Sequence, residues 1–177
     1  SANPIEFALL MQDSGAQMLT LHGRTREQGF SGNANWETIQ KVKNILSIPV
    51  IANGDIRTPK DAIQCLKITG ADGIMIGRGS MGSPWLVGEI DAALRGDQNL
   101  KIPNTIDRLE ITKEHLLSLV KAKGDHGLLI ARKHMNWSCQ GFEGASTLRS
   151  SLMRAKTASE AEKLIENEII TLNNSSS

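Results

Sequence analysis

The sequence predicts an α/β protein in which successive parallel βα units are followed by an all-α helical domain. Short apolar runs ending in glycine recur with helix-length patterns between them. They are "GAQMLTLHGRT" from Gly15, "IPVIANGD" from Ile48 and "GADGIMIGRGS" from Gly70. Such runs are the mark of parallel strands buried on both faces. Past "KIPN", which reads as a linker, four helical patterns follow one another with no strand between them. The expected organisation is residues 1–100 as the βα part, 101–172 as the helical domain and 173–177 as a disordered tail.

Each element has its own local signals. Ile5 to Asp13 reads as a helix, so the chain opens partway through a repeating unit. A strand is expected over Met18 to Leu21. Trp36, Ile39, Val42 and Leu46 then form a helical stripe with Asn35 as its cap. The second strand is expected over Pro49 to Ala52. In the helix after it, Thr58 is a good N-cap, Pro59 suits the first helical position and Asp61 falls where a reciprocal capping carboxylate belongs. Gly70 closes that helix before a third strand over Gly73 to Ile76. The helical domain is expected over Thr105 to Lys123, Leu128 to Cys139, Ala145 to Ala155 and Ser159 to Leu172.

Composition narrows the function classes. In 177 residues, 40% are hydrophobic, which is ordinary for a folded soluble domain. No apolar run approaches the roughly 20 residues that span a bilayer, and the N-terminus lacks a secretory layout, so no membrane partner and a cytoplasmic location are expected. Cys65 and Cys139 lie far apart with no ligand-like spacing, so no metal site is expected and both read as buried or inert thiols. The net charge of +1 excludes binding nucleic acid by bulk charge. A local face remains open, because Lys121 to Lys156 holds seven Lys/Arg against two acids.

Sites in parallel α/β sheets assemble at the carboxyl ends of the strands, where loops and helix N-termini converge. Here the first strand delivers His22, Gly23 and Arg24, the second Asn53, Gly54 and Asp55, and the third Gly77, Arg78 and Gly79. Gly54 and Gly77 allow backbone N–H groups close to a phosphate, with a helix start behind each, and Arg78 can add a charge-assisted contact. Each residue also has a structural reading. Glycine after a strand is common turn punctuation, His22 can be a satisfied strand-end histidine, and Asp55 can cap the following turn. Three such endings in successive units point to a ligand carrying phosphate.

"LTLHGRTREQGFSGNANWETIQKVK", "IPVIANGDIRTPKDA" and "GADGIMIGRGSMGSPWL" resemble the last three βα units of the tRNA-dihydrouridine synthases, bacterial type. "ARKHMNWSCQGFEGASTLRSSLMRA" is similar to their C-terminal helical domain. The resemblance implies the C-terminal portion, about three βα units, of a TIM-type barrel. It implies FMN as cofactor, NADPH as electron donor and tRNA uridine as the group reduced. Carried onto this chain, it implies Asn53, Gly54 and Asp55 as a flavin-contacting segment and Gly77 and Arg78 as the FMN phosphate clamp. His22 would lie near the isoalloxazine, and Arg24 by the flavin or the incoming RNA.

The family's general-acid cysteine and a flavin-contacting lysine belong to regions this sequence does not contain, so no catalytic residue is assigned. Three strands cannot close a barrel, so the sheet needs a missing N-terminal half or a second copy of the chain. In the helical domain, Lys133 and Trp137 are four apart on one helix face with Arg132 and His134 flanking, a candidate tRNA-binding patch or a solvated basic face over a core tryptophan. Two other readings stay open. One is a non-catalytic, self-associating RNA-binding module built on a half-barrel remnant. The other, a flavin or phosphate-binding barrel acting on small molecules, leaves the helical domain unexplained.

Overall fold

The computed structural model describes residues 3–97 and 100–175. The chain divides into two compact units, Ser1–Ser80 with Leu86–Leu100, and Met81–Trp85 with Lys101–Ser177.

The first unit is built in the order α1 (Pro4–Asp13), β1 (Leu19–His22), α2 (Trp36–Lys43), β2 (Val50–Asn53), α3 (Pro59–Thr69), β3 (Gly73–Met75), a 3-10 turn (Arg78–Ser80) and α4 (Leu86–Arg95). The three strands are parallel and lie in chain order, with β2 central. Helix starts follow the capping residues of the sequence. The Asn35 side chain accepts the Thr38 N–H at 2.9 Å, and the Thr58 hydroxyl accepts the Asp61 N–H at 3.1 Å. The Asp61 carboxylate reaches back one residue further than a reciprocal cap would, to the Arg57 N–H at 3.1 Å. Gly70 ends α3 in the left-handed region at φ 64°.

The strands are buried on one face only, contrary to the expectation of burial on both. Leu19, Leu21, Val50, Ala52 and Ile74 belong to a core shared with Ile39, Val42, Ala62 and Cys65 of α2 and α3. Thr20, His22 and Met75, which alternate with them, are exposed. The cause is simple: among the described residues, no second layer covers that side of three strands. At the far end of the sheet, the Asp72 carboxylate accepts both the Lys43 ammonium at 2.6 Å and the Val50 N–H at 2.7 Å. That shared acceptor ties the start of β2 to β3. A second expectation also changes, since the glycine-arginine-glycine ending of β3 runs into a 3-10 turn and α4 begins only at Leu86.

The second unit packs α5 (Thr105–Lys123), α6 (Asp125–Ser138), α7 (Ala145–Arg154) and α8 (Ala158–Ser175) around Leu109, Leu116, Met135, Leu152 and Ile165. Asn104 and Asp107 form a reciprocal capping box at the start of α5. Residues 81–85, expected with the βα part, belong here instead: the Arg108 guanidinium lies 5.3 Å from the Trp85 ring centroid. The predicted tail is helical through Ser175, and its last two residues lie outside the described residues.

Helix α6 begins three residues earlier than its apolar pattern suggested, because Gly127 lies inside it. A Cβ on Gly127 would overlap the Leu119 carbonyl and stand 2.7 Å from the Val120 Cα. The missing side chain is what lets α5 and α6 approach. Alanine improves helix propensity by about 1 kcal/mol, but overpacking against backbone costs about 1–3 kcal/mol. Gly127→Ala is therefore expected to be destabilising, and an unchanged or raised urea midpoint would refute this account of the crossing.

Candidate active site

One rung of the sheet carries the centre of the site. His22 pairs with Asn53, and Asn53 with Met75, so their side chains share the uncovered face. The Nδ1 atom of His22 accepts the Arg24 N–H at 3.0 Å. A neutral ring therefore carries its proton on Nε2, the remaining hydrogen-bonding atom. The Asn53 amide finds no hydrogen-bond partner among the described residues, although its backbone oxygen accepts the Gly23 N–H at 3.0 Å. Asn53 is thus fixed by its backbone and free at its side chain.

Gly54 adopts φ 123°, and a Cβ there would come within 2.7 Å of the Ala34 Cβ. Its carbonyl accepts the Trp36 indole N–H at 3.0 Å. Asp55 follows with φ 56°, the one positive value at a non-glycine residue among those described. Its carboxylate accepts two contacts of 2.8 Å from Nη2 of Arg24 and the Ala34 N–H at 2.7 Å. Burial opposes ionisation of this carboxyl. The Ala34 and Arg24 hydrogen bonds, with the charges of Arg24 and Arg57, overcome it and hold the pKa below the ordinary value.

Arg24 also donates to the Gly32 carbonyl at 2.6 Å and the Ser31 carbonyl at 3.3 Å. Its side chain is only 4% exposed, and Nη1 is buried without a partner. Arg24 and Asp55 therefore clasp the loop between β1 and α2 onto the end of β2.

The six remaining candidates converge. His22, Asn53, Gly54, Asp55, Gly77 and Arg78 all line one open cavity of about 510 Å³. Its size suits a small-molecule site. Arg24 lines a neighbouring cavity of about 500 Å³ instead, together with Trp36 and Arg57. Nothing stands within 4 Å of a Cβ built on Gly77, whereas one on Gly79 would overlap the Ile56 carbonyl. Gly77 is open to a ligand and Gly79 is needed for packing. The Arg78 guanidinium lies over the Phe30 ring, 4.0 Å from its centroid. Sequence reading missed Phe30 and Arg57; the signal for Phe30 was a lone aromatic between Gly29 and Ser31 in a chain with three phenylalanines and no tyrosine.

The family model for dihydrouridine synthase (Dus) matches residues 1–174. The chain belongs to the dihydrouridine synthase family. It is 50% identical over 169 residues to a probable tRNA-dihydrouridine synthase 1 of Synechocystis sp., covering 96% of this chain and 48% of that one. A probable tRNA-dihydrouridine synthase of Rickettsia conorii is 42% identical over 151 residues, 85% of this chain and 46% of its own. The tRNA-dihydrouridine synthase B of Shewanella oneidensis is 37% identical over 165 residues, 93% and 51% of the two chains. This dihydrouridine synthase family member spans about half the length of these curated relatives.

Within this member of the family the candidate RNA residues do not form one exposed row. Arg132 turns inward, donating from Nη2 to the Ala155 carbonyl at 3.0 Å with Nε buried and unpartnered. His134 packs its ring 4.7 Å from that of His115 and 5.4 Å from that of Trp137, edge-on. Burial, then the His115 and Lys133 charges, lower the His134 pKa. Trp137 is half-buried, and Lys133 alone of the four is exposed. Both cysteines are fully buried; burial pushes Cys65 up to about 11 and Cys139 up to about 12. Neither thiol reaches the cavity. Among the described residues, no cluster of three or more metal-ligating side chains occurs, and no helix is long and apolar enough to cross a membrane.

Proposed function

We propose that this chain is the C-terminal part of an FMN-dependent tRNA-dihydrouridine synthase that reduces uridine to dihydrouridine in cytoplasmic tRNA with NADPH as electron donor. Its three βα units are then a portion of a TIM-type barrel; residues 1–100, apart from 81–85, form the flavin-binding part, and 101–172 the tRNA-binding domain. The observation that carries this reading is the single cavity lined by His22, Asn53, Gly54, Asp55, Gly77 and Arg78.

The residues present fit a flavin mononucleotide. Gly77 leaves its backbone uncovered, Arg78 has no carboxylate partner among the described residues, and the free Asn53 amide can both donate and accept. Gly77 and Arg78 would hold the phosphate, Asn53 the polar edge of the ligand, and His22 would offer Nε2–H as donor. Asp55 contributes indirectly, through Arg24 and the loop they hold. When bound, reduced FMN supplies a hydride for one carbon of the uracil double bond. The proton for the other carbon needs a general acid, and neither Cys65 nor Cys139 can serve as one, since both thiols are buried. In the helical unit, a tRNA phosphate contact rests most firmly on Lys133, with His134 and Trp137 beside it; Arg132 supports them by tying α6 to the end of α7.

A second reading, a non-catalytic RNA-binding module that self-associates, is favoured by the exposed face of Thr20, His22 and Met75. One experiment separates the two: incubate the purified chain with FMN, remove free ligand, and record the visible spectrum with light scattering for mass. Retained flavin with a shifted spectrum supports the synthase reading. A colourless, folded dimer that binds tRNA supports the module.

A further inference from the structure

Phe30 is 76% exposed, although its ring contributes nothing to the core. It stands in the loop between β1 and α2 and borders both cavities. The residues beside it are pinned, because the Ser31 and Gly32 carbonyls accept from Arg24, which Asp55 holds in turn. The backbone that carries the ring is therefore held in place, and the Arg78 guanidinium rests over the ring at 4.0 Å. Cation–π stacking uses the flat face of a guanidinium and leaves its N–H donors, which lie in the plane, free for an anion. A phosphate monoester binds those same donors in bidentate fashion.

We propose that Phe30 is a positioning residue for anion recognition: its ring holds Arg78 at the cavity so that the guanidinium edge meets the cofactor phosphate. The inference rests on the flavin reading above and adds to it the residue that selects phosphorylated over unphosphorylated flavin. Arg78 has four rotatable side-chain bonds and, among the described residues, no ion-pair partner, so without the ring its donors would sample solvent. Phe30 lowers that freedom before the ligand arrives.

The test is a pair of fluorescence titrations of the 177-residue chain, one with FMN and one with riboflavin, which lacks the phosphate. The wild type should prefer FMN, and Phe30→Ala and Phe30→Leu should each weaken FMN about fivefold with riboflavin unchanged. Phe30→Tyr should restore the preference, and Phe30→Ala should add nothing in an Arg78→Ala background. Because the ring is exposed, these variants should keep the wild-type circular dichroism. No preference for FMN in the wild type would overturn the phosphate reading and this inference with it. A preference undiminished by Phe30→Ala, or an equal loss for both ligands, would overturn the positioning role alone.

Discussion

Asp55→Asn is expected to destabilise the first unit by about 1–3 kcal/mol, the range for leaving a buried donor without its partner, because the ion pair it breaks is part-buried. Asparagine tolerates the left-handed backbone of this position, where φ is 56°, so the substitution spares the backbone while removing the charge and one of the two accepting oxygens. It leaves Arg24, 4% exposed, without its counter-ion, and Nη1 already lacks a partner. The loop from Thr25 to Ala34 should loosen as a result. The same group sets an acid limit. A folded-state pKa below the ordinary 3.8 means that its contribution is fully present above that value and is lost as pH falls through the lower, folded value. Urea unfolding at pH 7 and at a series of values below 4 checks both points. A change under about 0.5 kcal/mol at pH 7 would show that the clasp is not what holds the loop.

Gly79→Ala is expected to weaken FMN retention at least tenfold, and Gly77→Ala gives the informative contrast. A Cβ at position 79 would overlap the Ile56 carbonyl and lie 3.3 Å from the Arg57 Cα, so the 3-10 turn must leave the end of β2. Arg78 would move with it. A Cβ at position 77 meets nothing within 4 Å, so Gly77→Ala should unfold like the wild type and lose affinity only if a ligand needs that bare backbone. Equilibrium dialysis with FMN beside thermal unfolding separates the two. Wild-type retention by Gly79→Ala would mean that the turn is not part of the site.

The parts legible in the sequence are those written in local chemistry. Asn35, Thr58 and Gly70 act through neighbours within four residues, so the starts of α2 and α3 and the end of α3 could be read directly. The strand ends were legible because glycine after an apolar run has few other meanings. Asp55 was not, because its partner Arg24 is 31 residues away, and a carboxylate after glycine reads equally as ligand contact, turn cap or clasp. Arg132 misled for the same reason: helical spacing places it beside Lys133 but does not reveal that the Ala155 carbonyl draws it inward. Phe30 and Arg78 meet only through the fold. One-sided burial escaped notice because Val50 and Ile51 are both apolar, although only Val50 is fully covered.

The rung that joins His22, Asn53 and Met75 makes the site all-or-nothing with respect to strand alignment. Side chains alternate across a strand, so a slip of β2 by one position would turn Asn53 toward the helices and offer Ala52 or Gly54 in its place. No intermediate alignment leaves a half-strength site. Bound flavin would then act as a tally of correctly threaded molecules: the ratio of yellow colour to protein in a refolded sample would measure the fraction in which β2 found its partners, whatever the helices had done.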